Sequence, residues 1–84
     1  MNVQAEISLY PLRTPAVGEA IDRFLDTLEA SGIDVHASAM SSRATGEVGD
    51  LFEGLGQAFE TVAESRDIVL VLKVSNACPA EAKH

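Results

Sequence analysis

The chain predicts an α+β fold, a ferredoxin-like βαββαβ sandwich, on three observations. Stretches at the two ends alternate or run apolar as strands do, over Val3–Tyr10 and Asp67–Ser75. Two intervening segments, 17–28 and 51–62, carry apolar residues at the three-and-four spacing of amphipathic helices. A third alternating region, 34–48, divides these helices and is long enough for two short strands. Two right-handed crossovers then put both helices on one face of an antiparallel sheet of order 4-1-3-2. The first and third strands are central in that order, and they are read as parallel neighbours.

The first strand points Val3, Ala5, Ile7 and Leu9 to one face and Gln4, Glu6, Ser8 and Tyr10 to the other. Pro11 closes it by removing a backbone donor. Thr14 is expected to cap the first helix, with Pro15 in its first position. Val17, Ala20, Ile21, Phe24, Leu25 and Leu28 form the helix's apolar stripe, and Gly32 ends it. Asp34 to Met40 alternates again, with Val35, Ala37 and Ala39 inward and His36, Ser38 and Met40 outward. Ser41-Ser42-Arg43 reads as a turn, followed by a third strand from Ala44 to Val48. Asp50 and Glu53 have the spacing of a capping box for the second helix, whose stripe is Leu51, Leu55, Ala58, Phe59 and Val62. Gly54 and Gly56 each cost that helix about 1 kcal/mol relative to alanine, which predicts close packing at both. The fourth strand, Asp67–Ser75, is apolar on both faces until Lys73.

With 84 residues, 46% of them apolar and 23% charged, the chain reads as one domain over 1–77 and a solvated tail over 78–84. A domain of this size buries roughly 60–65% of its unfolded surface, so association would help it. No apolar run approaches the roughly 20 residues of a membrane span, and no signal peptide is legible, so a cytoplasmic protein with no membrane partner is expected. The net charge of −7 opposes nucleic acid and anionic lipid and favours a cationic or amine-bearing small molecule. Cys78 is the only cysteine, and neither His36 nor His84 has ligand spacing with it. Neither an intrachain disulfide, nor a metal site, nor a cofactor is expected.

Candidate chemistry lies on the sheet face that the helices leave open. Glu6 and Glu47 would lie close together if the central strands were parallel, and two carboxylates need a positive or hydrogen-bond-donating partner. An aminopyrimidine edge is one such partner and a bound cation another. Alternatively, a glutamate pairs with Lys73 or Arg43 and both are structural. Tyr10 and Phe52 offer rings for stacking or for core packing, and Ser41 and Ser42 offer hydroxyls to a ligand or to a local turn. The glycines follow no nucleotide-loop pattern, and no Ser-His-Asp or Cys-His set is legible. The apolar fourth strand predicts that the open face meets another subunit's sheet, or that its edge pairs across a two-fold axis.

Ala5-Glu6-Ile7-Ser8-Leu9-Tyr10-Pro11-Leu12, Met40-Ser41-Ser42 with Gly46-Glu47, and Leu51-Phe52 with Ala58-Phe59 together resemble the YkoF-like thiamine-binding proteins. The likeness runs from about Val3 to Asn76. It departs in Ser42, where the family more usually has threonine, and in the Ser75–Pro79 ending. The resemblance implies a non-catalytic protein that binds thiamine or its hydroxymethylpyrimidine part and associates through its sheet as a homodimer or homotetramer. It points to Glu6, Ser8, Tyr10, Met40, Ser41, Ser42 and Glu47 as ligand-binding, with Phe52 added. The alternatives are an oligomeric regulatory or structural module with another ligand or none, and an enzyme using the two carboxylates as acid and base.

Overall fold

The structure, a computed structural model, describes residues 1–38 and 41–77. Its elements are β1 (Asn2–Pro11), α1 (Val17–Ala30), β2 (Asp34–Ala37), β3 (Ser42–Glu47), α2 (Val48–Ala63) and β4 (Ile68–Ser75). The sheet order is β2-β3-β1-β4, which is the expected order read from the other edge. Alternation on β1 buries Val3, Ala5 and Ile7 against Phe24, Leu25 and Leu28 of α1 and Leu51, Leu55, Ala58 and Val62 of α2. Both helices thus cover one face, and the polar half of β1 lies on the other.

All strand pairs are antiparallel, β1 with β3 included, which corrects the parallel reading of the central pair. The reason is topological. The crossover through α1 sets β2 parallel to β1, one strand away, and the β2–β3 return reverses the chain, so β3 runs against β1. In the resulting register Glu6 faces Arg43, whereas Glu47 faces Asn2. Four steps along β1, from Asn2 to Glu6, separate the two glutamates, about 13 Å at strand rise.

Both helix starts differ from expectation. α1 begins at Val17 with Ala16 in the cap position and no side-chain cap; the Thr14 hydroxyl instead accepts from the Ala16 N–H at 3.1 Å. That local bond shapes the lead-in turn rather than the helix end. α2 begins three residues before Leu51, because the Glu47 carboxylate accepts from the N–H groups of Gly49 and Asp50 at 2.8 and 3.2 Å. Glu47, not Asp50, is the cap, and Val48 opens a helix rather than ending a strand. Gly32, with φ of 89°, turns the chain out of α1 as expected.

The two α2 glycines part company. A Cβ on Gly54 would stand 2.9 Å from Ser31 Cβ and 3.0 Å from Leu28 Cδ1 of the neighbouring helix region, so α1 and α2 meet there without a side chain between them. Gly56 has nothing within 4 Å, which corrects the expectation of close packing at that position. Gly54→Ala will therefore destabilise the fold by about 1–3 kcal/mol through overpacking. Gly56→Ala will stabilise it by about 0.5–1 kcal/mol through helix propensity alone. Urea unfolding of the two variants reads the opposite signs directly.

Candidate functional site

On the open face the register stacks side chains into rows across the sheet. One row runs His36, Arg43, Glu6, Lys73, and the next toward the Asn2 end runs Asp34, Thr45, Gln4, Ser75. Toward the other end, Ser8 faces Val71 and Tyr10 faces Val69. Glu6 is held from two sides: Lys73 Nζ lies 3.4 Å from one carboxylate oxygen, and the Ser41 hydroxyl donates to the other at 3.3 Å. The lysine is 80% exposed, so this ion pair contributes about 0–1 kcal/mol to stability.

β3 stops short of β1. It pairs with β1 over Asn2–Ile7, whereas β4 pairs with it over Gln4–Pro11. From Ser8 onward β1 therefore has no strand partner on its β3 side among the described residues. The gap is bounded by the β2–β3 connection, where both the N–H and the hydroxyl of Ser38 donate to the Ser41 carbonyl. Behind the gap is a cavity of about 90 Å³, with Ile7, Leu9, Ile21, Phe24 and Leu25 as its apolar wall. Ser8, Tyr10, Ser38, Ser41 and Ser42 also line it, with Ser42 turned inward and the side chains of Ser8 and Tyr10 on the open face of β1. A small ring entering here would meet apolar side chains on its faces and serine hydroxyls on its edges.

Four sequence-derived candidates, Ser8, Tyr10, Ser41 and Ser42, converge on this cavity. Glu6 adjoins it through Ser41. Ser42 is not in a turn: it is the first residue of β3, 7% exposed and turned inward. Glu47 stands apart at the start of α2. Phe52 is 51% exposed on α2. It lies two residues, hence about 200° of helical rotation, from Gly54, which faces α1, so it points away from that helix. Met40 lies outside the described residues, as do Cys78 and the tail over 78–84. Ser38 and Phe24 line the cavity and were not among the sequence-derived candidates. Extending the alternation of β3 back two residues from Ala44 would have placed Ser42 inward and Arg43 outward.

The Glu47 carboxyl is held below its ordinary value of 4.5, first by the Asp50 N–H, then by the Gly49 N–H and the chain's amino group 3.7 Å away. A carboxyl lowered in the folded state stabilises the fold above its unfolded value, and that contribution is lost as pH falls through the lowered one. Thermal midpoints will therefore fall between about pH 5 and 3 more steeply in wild type than in Glu47→Gln. The variant will be the less stable at pH 7, and the gap will close in acid.

The acid excess lies mainly on the helices. α1 carries Glu19, Asp22, Asp26 and Glu29 against Arg23, and α2 carries Asp50, Glu53 and Glu60 with no base. The open face opposes Glu6 and Asp34 with Lys73 and Arg43, and among the described residues no carboxylate lies within ion-pair distance of Arg43. No described group of three or more His, Cys, Asp and Glu side chains is arranged to hold a metal ion, and no described helix is long and apolar enough to cross a membrane.

Fold and site together define a ferredoxin-like domain with a corner cavity, lined in part by serine residues and Tyr10, beside the Glu6 carboxylate. Comparison with known proteins places it further. The chain belongs to the YkoF-related family, whose profile matches residues 2–81. Solved structures share the fold. A hypothetical protein from Methanocaldococcus jannaschii superposes with a TM-score of 0.81 at 23% identity, over 89% of this chain and 79% of that one. A candidate thiamine biosynthesis/salvage protein from Thermotoga maritima gives 0.77 at 17%, over 88% and 82%. A domain of unknown function, DUF77, from Bacillus cereus gives 0.75 at 19%, over 89% and 75%. No curated protein matches the chain.

Proposed function

We propose that this protein binds thiamine or its hydroxymethylpyrimidine part without catalysis, the pyrimidine ring entering the corner cavity. The observation that carries the reading is the convergence of Ser8, Tyr10, Ser41 and Ser42 on one cavity with Glu6 at its rim. An aminopyrimidine presents an exocyclic amine that donates and ring nitrogens that accept. Hydroxyls can answer either role, and a carboxylate answers the amine directionally. The partly buried Leu9 and Ile21 on the cavity wall suit the ring's faces. A cavity of about 90 Å³ is far below the roughly 300–1,000 Å³ of sites that enclose a drug-sized ligand. It suits one ring, with the thiazolium left outside over Glu6.

Membership of the YkoF-related family and the fold shared with the thiamine biosynthesis/salvage candidate support this reading. The separation of Glu6 from Glu47 supports binding over catalysis, because the paired carboxylates that acid–base chemistry would need are about 13 Å apart along the sheet. The half-exposed Val69 and Val71, with Tyr10 beside them, support a second copy of the chain covering the open face and closing over the ligand.

Isothermal titration with hydroxymethylpyrimidine, thiamine and thiamine diphosphate, with oligomer mass measured on the same sample, tests the reading. Saturable binding at micromolar or tighter affinity and fixed stoichiometry is expected. A folded oligomer that binds none of the three would instead be a regulatory or structural module.

A further inference from the structure

We infer that the open face beside Glu6 is an anion subsite, in which Arg43 and Lys73 hold a phosphate or diphosphate group on the tail of the ligand. The inference rests on the reading above for the position of the ring, and it adds the charge state of the ligand that the site prefers.

In the cross-sheet row, Arg43 and Lys73 stand on the two strands flanking Glu6, each about 4.8 Å from β1. Arg43 is exposed with no carboxylate within ion-pair distance among the described residues. In a chain of net charge −7 an unpaired guanidinium is conspicuous, and its planar fork suits phosphate oxygens better than any other cationic side chain. Lys73 is paired with Glu6, but its exposed stem leaves the ammonium free to swing. A cationic ring arriving over Glu6 would take over that carboxylate and release the lysine. Two shallow concavities flank Arg43. One, of about 510 Å³, is lined by Gln4, Glu6, Lys73 and Ser75; the other, of about 340 Å³, by Gln4, Asp34, His36 and Thr45. Each concavity also holds one carboxylate, Glu6 beside Lys73 in the first and Asp34 beside His36 in the second, and the Gln4 amide with the Ser75 and Thr45 hydroxyls can donate to an oxyanion.

The geometry also sets the length of the ligand. Ser8 lies two residues from Glu6 along β1 and Gln4 two residues beyond it, so each step is about 7 Å. A molecule with a ring in the corner cavity and a cation over Glu6 brings its anionic tail one step further, to the Gln4 row, where the long side chains of Arg43 and Lys73 reach it from the row of Glu6.

The test is calorimetric titration of wild type, Arg43→Gln and Arg43→Lys with thiamine, thiamine diphosphate and inorganic pyrophosphate. Wild type is expected to bind the diphosphate about 10-fold or more tightly than thiamine, the scale of charge-assisted hydrogen bonds. Arg43→Gln should erase that ratio while leaving thiamine affinity within about twofold, and Arg43→Lys should keep part of it. Thiamine binding with no diphosphate advantage, or an advantage that survives Arg43→Gln, would overturn the subsite and leave the vitamin reading intact. Pyrophosphate binding that is lost in Arg43→Gln, with no binding of thiamine, would keep the subsite and sink the vitamin reading.

Discussion

Phe24→Ala will cost about 3–5 kcal/mol of folding stability, much of the roughly 5–15 kcal/mol that a small domain has in total. Phe24 is fully buried on α1, faces β1 in the core and forms the inner wall of the corner cavity. Truncation joins the volume of the lost ring to the existing cavity, and neighbouring side chains already in contact cannot close both. Urea denaturation followed by circular dichroism reads the loss, and a shift below about 1 kcal/mol would show that the ring is not a core support. Phe24→Leu keeps most of the packing while widening the cavity. Its effect on hydroxymethylpyrimidine affinity then reports on the wall separately from the fold.

Glu6→Gln will weaken binding of hydroxymethylpyrimidine and thiamine by about 1–3 kcal/mol, the scale of hydrogen bonds to charged groups, or about 5- to 150-fold. Folding stability will hardly change, since Glu6 is half-exposed and its lysine partner faces solvent. Glu47→Gln will show the opposite pattern, with altered stability and unaltered affinity, because that carboxylate caps α2 about 13 Å away. Equal and small losses of affinity in both variants would remove carboxylate recognition from the account.

The frame of the molecule was legible because its signals are periodic. Val3, Ala5 and Ile7 alternate on β1, and Phe24, Leu25 and Leu28 recur on α1, so the sequence alone orders the elements and sides the core. Strand direction was not legible in the same way. It follows from counting crossovers and returns, and once counted they oblige β3 to oppose β1. The start of α2 was missed because glutamate is not a usual cap, and its carboxylate reaches two N–H groups only in this geometry. Of the site, Ser8 and Tyr10 were accessible through alternation. Ser42 was hidden because a serine pair before a basic residue looks like a turn, and its inward position depends on β3 beginning two residues early. The cavity itself had no sequence signal, since it exists where one strand ends and its neighbour continues.

The segregation of charge between the two layers changes what the net charge means for an approaching molecule. The molecule measures 37 × 24 × 17 Å, and at physiological ionic strength electrostatic potentials decay over about 8 Å. The acidic outer surfaces of α1 and α2 are thus separated from the open sheet by more than one screening length, across a core that counterions surround but do not enter. A solute near Arg43 and Lys73 responds to a nearly neutral surface with cationic points, while one arriving at the helices meets a strongly acidic wall. Lowering the salt would lengthen the screening distance until the helices are felt through the core. Affinity of the sheet face for an anion should then pass from insensitive to opposed as ionic strength falls, the reverse of an ordinary basic binding site.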